Sequence, residues 1–540
     1  MHSWLESPKT PRLMHTIYGA TTNTYWYQGT YVRKNTAITA VHFGVHTINA
    51  QTSASARLKA AQSHFINGER VESTDRMDVL DPGTGKPIST VCLGGQAEID
   101  AAVSAARAAF PSWAATPADE RTQILLRFAA LIEANGEEIK QLSILDGGLA
   151  NMIGDSTAWV SALFLRYYAG WTSKIAGQTL PSSPNGLAPT DVLAYTLREP
   201  IGVVGAITPW NYPYGMEILK IAPVLAAGCS LVLKPAEETP LASLHMAELA
   251  LEAGIPPGVF NVVNGRGEEA GAALASHPDV DKVAFTGSTD VGRIIVNASA
   301  GNLKKVSLEL GGKSPVFVFP DAKMEQTIPG VAMAGFMMSG QNCVCGSRLY
   351  VHESVADEVA NGIAEFAKTL TVGHGNDPAN MIGPLISERQ RDRVNGMVKR
   401  ATEAGAEAVT GGEPMSGDGW FVKPTLFRGC TPDMELTKNE VFGPVIAMQT
   451  FSDDDDYASL AAMANDSRYG LSGSVWTQNL ETAMRMTKLI DSGQVGVNTH
   501  AAMDPSMPFG GNKESGWGRE FGEAAMDLYT KTKAVTVAWA

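Results

Sequence analysis

Cysteine is scarce in this chain: 540 residues hold five, Cys92, Cys229, Cys343, Cys345 and Cys430. So small and odd a set excludes a disulfide framework and fits free thiols in a reducing compartment. Charged residues are also sparse, at 18%, and their balance is −14, which excludes a nucleic-acid polyanion as the main partner. No apolar run is long enough to span a bilayer, and the first residues lack a basic segment followed by an apolar core. A cytoplasmic protein with no membrane span and no secretory signal is therefore expected. Metal ligands in a usable pattern are missing too. His2, His15, His42 and His46 match no common spacing, and Cys343-Val344-Cys345 has no second Cys/His pair nearby, so no metal is expected.

What is present reads as globular, with 44% hydrophobic residues in a length that exceeds one core, so two or three domains are expected. Residues 1–63 are rich in Thr, Tyr, Asn and His without a sustained period and read as a poorly ordered extension or an arm on a partner subunit. Asn67-Gly68 between apolar residues signals a hairpin, and helices are expected over 97–115 and 118–145. From about 195 to 320 strand and helix alternate. Strands are read at Ile201–Ile207, Ser230–Leu233, Val259–Val263, Lys282–Phe285, Val306–Leu308 and Val316–Phe319. Helices are read at Ile218–Ala227, Leu241–Ala253, Glu268–Ser276 and Val291–Ala298. Such repeats imply a parallel sheet covered on both faces, with ligands beyond the carboxyl ends of its strands. A second α/β segment follows, with strands at Leu349–His352, Val422–Leu426, Val445–Phe451, Gly473–Trp476 and Gln494–Asn498. The last residues, Ala534–Trp539, alternate like a strand and need an edge to pair with, such as one on another subunit.

Three stretches carry candidate chemistry. Ser339-Gly340-Gln341-Asn342-Cys343 places a thiol among small residues, Leu308-Glu309-Leu310-Gly311-Gly312 offers a carboxylate, and Pro209-Trp210-Asn211-Tyr212-Pro213 offers a side-chain amide. A thiol, a base and an amide donor suffice for acyl chemistry through a thioester. Spacing alone does not bring them together, and a lone cysteine is more often a core residue. Phe285-Thr286-Gly287-Ser288 lies where a strand turns into a helix, a place for phosphate or for a purely structural turn. Gly311-Gly312-Lys313-Ser314 is not a phosphate-binding P-loop, because Ser307 stands where that loop requires glycine.

Taken together, from about residue 64 to the C-terminus, the chain resembles the aldehyde dehydrogenase superfamily. The matching segments are Pro209–Pro213, Lys234-Pro235-Ala236-Glu237, Phe285–Ser288, Glu309–Lys313, Gly340–Cys343, Glu440-Val441-Phe442-Gly443-Pro444 and Pro508-Phe509-Gly510-Gly511 through Gly516. The resemblance implies an α/β fold with a Rossmann-type nucleotide-binding domain, an α/β catalytic domain and a small β oligomerisation arm. It implies boundaries of 64–181 with 201–311, 312–510, and 182–200 with 511–540 for these three parts. It also implies a homodimer or homotetramer, a small-molecule aldehyde as substrate and NAD as cofactor.

By the same resemblance Cys343 is the nucleophile, Asn211 an oxyanion donor, Glu309 the base that hydrolyses the thioester, and Lys220 with Glu520 a proton relay. Cofactor contacts are expected from Ile207, Thr208, Pro209, Trp210, Lys234, Ala236, Glu237, Gly267, Phe285, Gly287, Ser288, Gly292, Leu310, Glu440 and Phe442, with Trp210 and Phe442 flanking it. Tyr212, Met216, Leu219, Asn342, Val344 and Met503 are expected to line an apolar aldehyde pocket without a cation, suited to aromatic or medium-chain aldehydes. The run from Pro508 to Gly522 also looks like phenylacetaldehyde-type members. Glu237 would repel a 2′-phosphate and favour NAD, with Arg266 a possible counterweight. Two departures stand out. Asp146–Ala150 replaces a common Glu-x-Gly-Lys-Pro, and Lys531 occupies a commonly acidic position expected to face Lys305 and Arg519. A member that passes its acyl group to coenzyme A typically lacks the base, so Glu309 argues against that alternative; a catalytically inactive homologue is the other.

Overall fold

A computed structural model describes Leu58, residues 61–181 and residues 192–539. The chain divides into Met1–Asn49 and Ala50–Ala540, and the architecture below belongs to the second unit. The expected extension therefore lies almost wholly outside the described residues.

Five buried runs form the parallel centre of an eight-stranded sheet: Val203–Ile207, Ser230–Lys234, Phe260–Val262, Lys282–Thr286 and Lys305–Glu309. Strands covered on both faces read as continuous apolar sequence, which is why these were legible. Val203, Val232 and Val283 pack under the helices Gln96–Ala115 and Thr289–Ser299, while Val204, Leu231 and Ala284 pack under Gly215–Ala226 and Pro240–Ala253. Numbered in chain order, the five strands lie in the spatial order third, second, first, fourth, fifth. The order reverses between Val203–Ile207 and Lys282–Thr286, and in sheets of this kind the crevice beyond those two carboxyl ends takes the ligand. The hairpin His64–Ile66 and Glu69–Val71 extends one edge and Gly516–Trp517 the other, all antiparallel. Its turn holds Asn67 at φ 54° and Gly68 at φ 79°, the left-handed pair that an Asn-Gly hairpin requires.

A second sheet has seven strands, six of them parallel. Its order is Glu407–Thr410, Thr425–Arg428, Val445–Phe451, Arg348–His352, Pro315–Val318, Ser472–Trp476 and Gln494–Val497. The strand expected at Val422–Leu426 starts at Thr425 because Pro424 has no N–H for the ladder; Thr425 N donates to Pro444 O at 2.8 Å. Thr530–Ala538 pairs antiparallel with Val192–Pro200 along its whole length, and Thr179–Leu180 lies on the far side of that strand. The partner edge expected from another subunit is thus supplied on one side by the chain itself.

The helix expected over 118–145 is two helices, Ala118–Ala134 and Gly136–Gly147, because Asn135 leaves helical geometry at ψ 19°. A further helix, Asn151–Ala169, packs against both of these and against Gly215–Ala226. Among the described residues no helix is long and apolar enough to cross a membrane.

Candidate active site

Cys343 lies in a turn between the helix Met324–Phe336 and the strand Arg348–His352. The chain enters through Met338 and Ser339 at φ 54° and 56°, a conformation costly for both, and then Gly340 at φ 65°. A Cβ on Gly340 would stand 2.0 Å from Gly443 O, so this position admits only glycine. Within the turn, Asn342 Oδ1 accepts from Val344 N at 3.2 Å and lies 3.8 Å from Cys343 Sγ. Cys343 is half-buried, whereas Cys345 is buried and its thiol donates to Gly335 O at 3.4 Å. Burial, then the charges of Glu440 and Glu309, hold the Cys343 thiol well above the ordinary cysteine range; the N–H groups of Val344 and Cys343 pull the other way. Burial pushes Cys345 up to about 12.

Glu309 ends its strand buried, and its Oε2 has no hydrogen-bond partner. Three residues on, a Cβ at Gly312 would stand 2.1 Å from Cys343 O, so the glycine lets the Cys343 backbone press against the strand that delivers Glu309. Asn211 Nδ2 donates to Gln341 O at 2.9 Å, which ties the amide to the same turn. Pro213 closes on Gly147, where a Cβ would approach it to 2.8 Å, so the Asp146–Ala150 departure keeps a small residue where packing needs one. The structure therefore brings Cys343, Glu309 and Asn211 together. Burial, then the neighbouring Glu520, lifts the Glu309 carboxyl well above the usual range, with Lys220 and Arg519 opposing. Lys220 and Glu520 form a buried ion pair. A residue missed in the sequence, Lys282, sits beneath them: its Nζ donates to Ser307 Oγ at 2.9 Å, lies 5.4 Å from the centre of the Tyr529 ring, and is lowered to about 7 chiefly by burial.

The expected cofactor contacts gather at the strand-order reversal. Ile207 closes its strand and leads into Thr208, Pro209 and Trp210; the Thr208 hydroxyl oxygen is buried without a partner. Lys234 ends the next strand, and its Nζ donates to Glu237 Oε2 at 3.0 Å past buried Ala236. Burial would raise Glu237, yet the Lys234 charge and backbone N–H groups, that of Gly267 included, leave it below the usual range. Gly267 opens a one-turn π-helix, Gly267–Gly271, and a Cβ there would meet nothing within 4 Å. Across the crevice, Ser288 caps Thr289–Ser299 by accepting from Val291 N at 3.3 Å, Gly287 N donates to Glu309 O at 3.0 Å, and a Cβ on Gly287 would stand 2.5 Å from the Phe285 ring. Gly292 allows the helix to settle on Leu310, where a Cβ would come within 2.8 Å. Glu440 Oε1 accepts from Gly312 N at 2.9 Å, and burial lifts its carboxyl to about 7 against Gly312 N–H and Lys313. Phe442, at φ 53°, meets Trp210 edge to face with ring centres 5.3 Å apart. The unpartnered Thr208 oxygen, the open space before Gly267 and the acidic Glu237 fit a dinucleotide without a 2′-phosphate.

Of the expected pocket residues, Leu219, Met216 and Val344 share one apolar cluster with Cys343. Tyr212 lies over Gly215, its hydroxyl held by Thr157 and Ser156. Asn342 turns its side chain into the Cys343 turn, and Met503 is 48% exposed outside that cluster. Ala501, Phe509 and Phe521 belong to the cluster and were missed; Phe509 stacks on Phe521 at 5.2 Å. Phe509 had a signal, since it lies inside the matching Pro508–Gly511 segment.

The aldehyde dehydrogenase family model matches residues 70–535. The chain belongs to the aldehyde dehydrogenase family. It is therefore an oxidoreductase of the aldehyde group, with the α/β fold of that family and its Rossmann-type domain. A phenylacetaldehyde dehydrogenase of Pseudomonas fluorescens is 44% identical over 502 residues, spanning 91% of this chain and 99% of that one. An aldehyde dehydrogenase of Enchytraeus buchholzi is 42% identical over 482 residues, 88% of this chain and 95% of that one. An aldehyde dehydrogenase of Bacillus cereus, solved as its NAD+ complex, superposes with a TM-score of 0.86 at 42% identity, covering 89% and 97% of the two chains.

Two residues singled out for their charge have defined surroundings. Lys531 is exposed and lies opposite Glu199 across the terminal strand pair, while the Arg519 guanidinium binds Gly511 O at 2.9 Å, Gly518 O at 2.7 Å and Asn512 Oδ1 at 2.6 Å. Arg266 is engaged by Asp75 at 3.3 Å and Glu269 at 3.6 Å, which weakens it as a counterweight for NADP. Among the described residues no group of three or more His, Cys, Asp or Glu side chains could hold a metal ion.

Proposed function

We propose that this enzyme oxidises an apolar aldehyde to its carboxylic acid with NAD, through a thioester on Cys343. The convergence of the Cys343 turn, the Asn211 amide and the buried Glu309 carboxyl carries this reading. The Cys343 thiol gives its proton to Glu309 or to the Lys220–Glu520 relay, and the thiolate attacks the aldehyde carbon. A free Asn211 amide hydrogen and the Cys343 backbone N–H stabilise the oxyanion. NAD supplies the hydride acceptor; Lys234 and Glu237 hold its adenosine ribose, Ser288 its pyrophosphate and Glu440 its nicotinamide ribose. Thr208, Trp210, Gly267, Leu310 and Phe442 shape the rest of that groove. Glu309 takes a proton from the water that hydrolyses the thioester, and Lys220 with Glu520 passes the proton on. The presence of Glu309 beside the thiol favours hydrolysis over transfer to coenzyme A. Replacing Cys343 by Ala abolishes oxidation and retains NAD binding, whereas comparable turnover in that variant would move the chemistry to another thiol.

The substrate reading rests on Leu219, Met216 and Val344, which share an apolar cluster with Cys343 and with the aromatic Phe509. Methionine sulfur and ring edges suit an aromatic aldehyde. Phenylacetaldehyde or a benzaldehyde therefore has higher kcat/KM than acetaldehyde, betaine aldehyde or succinic semialdehyde; a panel led by either of the last two contradicts the pocket. We also propose that residues 64–181 with 201–311 bind the nucleotide, 312–510 carry catalysis, and 182–200 with 511–540 bridge subunits of a cytoplasmic homodimer or homotetramer. Ile294 is 60% exposed and Trp517 50% exposed, and large apolar groups left open in this way favour assembly.

A further inference from the structure

A directed hydrogen-bond chain outside the expected machinery ends on the nucleophile turn. Trp476 Nε1 donates to Ser474 Oγ at 3.3 Å, Ser474 Oγ is 2.9 Å from His500 Nδ1, and His500 Nε2 is 2.6 Å from Val344 O. A carbonyl has no hydrogen to give, so His500 Nε2 carries the proton and Nδ1 of the neutral ring accepts. Ser474 then spends its one hydrogen on Nδ1, and the indole N–H, a donor only, fills a Ser474 lone pair. A single arrangement of hydrogens satisfies every group. Burial keeps the imidazole pKa low, against the pull of the Val344 carbonyl, in keeping with a neutral ring. The chain is anchored in rigid structure: Ser474 and Trp476 lie on the strand Ser472–Trp476, and the Trp476 ring fills the space beside Gly330, where a Cβ would stand 2.3 Å away. On its other side Val344 gives its N–H to Asn342 Oδ1 at 3.2 Å, so both of its backbone polar groups are held.

We propose that His500 is a positioning residue for Cys343: by fixing the Val344 carbonyl it holds the turn that aims the thiol and the Cys343 N–H at the aldehyde. The inference rests on Cys343 being the nucleophile. Misplacing reacting groups slows attack without weakening a cofactor held elsewhere. The test is the pre-steady-state NADH burst of the full-length enzyme with phenylacetaldehyde, alongside NAD affinity from fluorescence quenching. His500→Leu is expected to slow the burst by about tenfold or more with NAD affinity unchanged. His500→Gln, whose amide N–H can replace the Nε2 donor, recovers most of the loss, and Ser474→Ala falls between the parent and His500→Leu. An unchanged burst in His500→Leu, or equal impairment of the Leu and Gln variants, overturns the proposal. If His500→Leu fails to fold, as shown by lost NAD binding, Ser474→Ala decides: a slower burst supports the proposal and a parental burst overturns it. Oxidation surviving in Cys343→Ala would instead strike the nucleophile assignment itself, separately from any His500 result.

Discussion

Two glutamates serve the carboxyl edge of one parallel sheet, and their environments drive them apart. Glu309 is the last residue of its strand, buried, with one carboxylate oxygen unpartnered and its proton affinity raised by burial and by Glu520. Glu237 lies three residues past another strand of the same sheet, against the Lys234 ammonium, and stays below the usual carboxylate range. Position in the fold does not decide what a carboxylate does; the nearest charge and the access of water do. A raised carboxyl is suited to exchange protons near neutrality, and a lowered one is a fixed anion that recognises hydroxyls. Opposite substitution effects at the two sites are the consequence.

The largest separation comes from removing each carboxylate. Glu309→Gln lowers steady-state turnover by about 10²- to 10⁴-fold, the usual worth of a general base, with the KM for NAD little changed. Equal loss in kcat and in NAD affinity would erase the distinction. Next, Asn211→Ala slows the NADH burst by about 10²- to 10³-fold, as loss of an oxyanion donor does, with NAD affinity retained. A burst at the parental rate would remove Asn211 from the site.

The pH profile sharpens the same contrast. As the proposed base, Glu309 acts only as the carboxylate, and its pKa is raised, so kcat falls as pH drops while still well above the ordinary glutamate value of 4.5. Glu237 has a lowered pKa and remains ionised across that range, so in a Glu440→Gln background, where the carboxyl lifted to about 7 is gone, the KM for NAD stays flat. Parallel pH dependence of kcat and KM would contradict the assignment. The smallest expected effect is on cofactor choice. Glu237→Gln removes the charge that repels a 2′-phosphate and raises kcat/KM with NADP relative to NAD by about tenfold, since each tenfold step needs only about 1.4 kcal/mol. No change in that ratio would leave Glu237 without a selective role.

The features that could be read in advance were those with one local cause. Strands such as Val203–Ile207 and Lys282–Thr286 are buried on both faces, and their apolar runs announce it. The Asn67-Gly68 turn is fixed by backbone chirality. The helix Asn151–Ala169 was not singled out, because its inward face carries Thr157, Ser161 and Gly154, small residues that allow close helix packing but blur the apolar period. Val192–Pro200 is half-buried and mixed in pattern, and its pairing with Thr530–Ala538 and Thr179–Leu180, distant from its own pattern, defines it. Within the site, Glu309 and Asn211 sit in matching segments, and Gly312 explains how the Glu309 strand meets the Cys343 turn. Lys282 and His500 gave no signal, since the partners of each are distant in sequence: Ser307 and Tyr529 for Lys282, Ser474 and Val344 for His500.

The most direct measurement is mass spectrometry of Glu309→Gln quenched after mixing with NAD and phenylacetaldehyde, with fragment spectra that separate Cys343 from Cys345. The account predicts an acyl group on Cys343 alone, accumulating because the base that would release it is gone. Turnover preserved with no adduct, or an acyl group on Cys345, would contradict it.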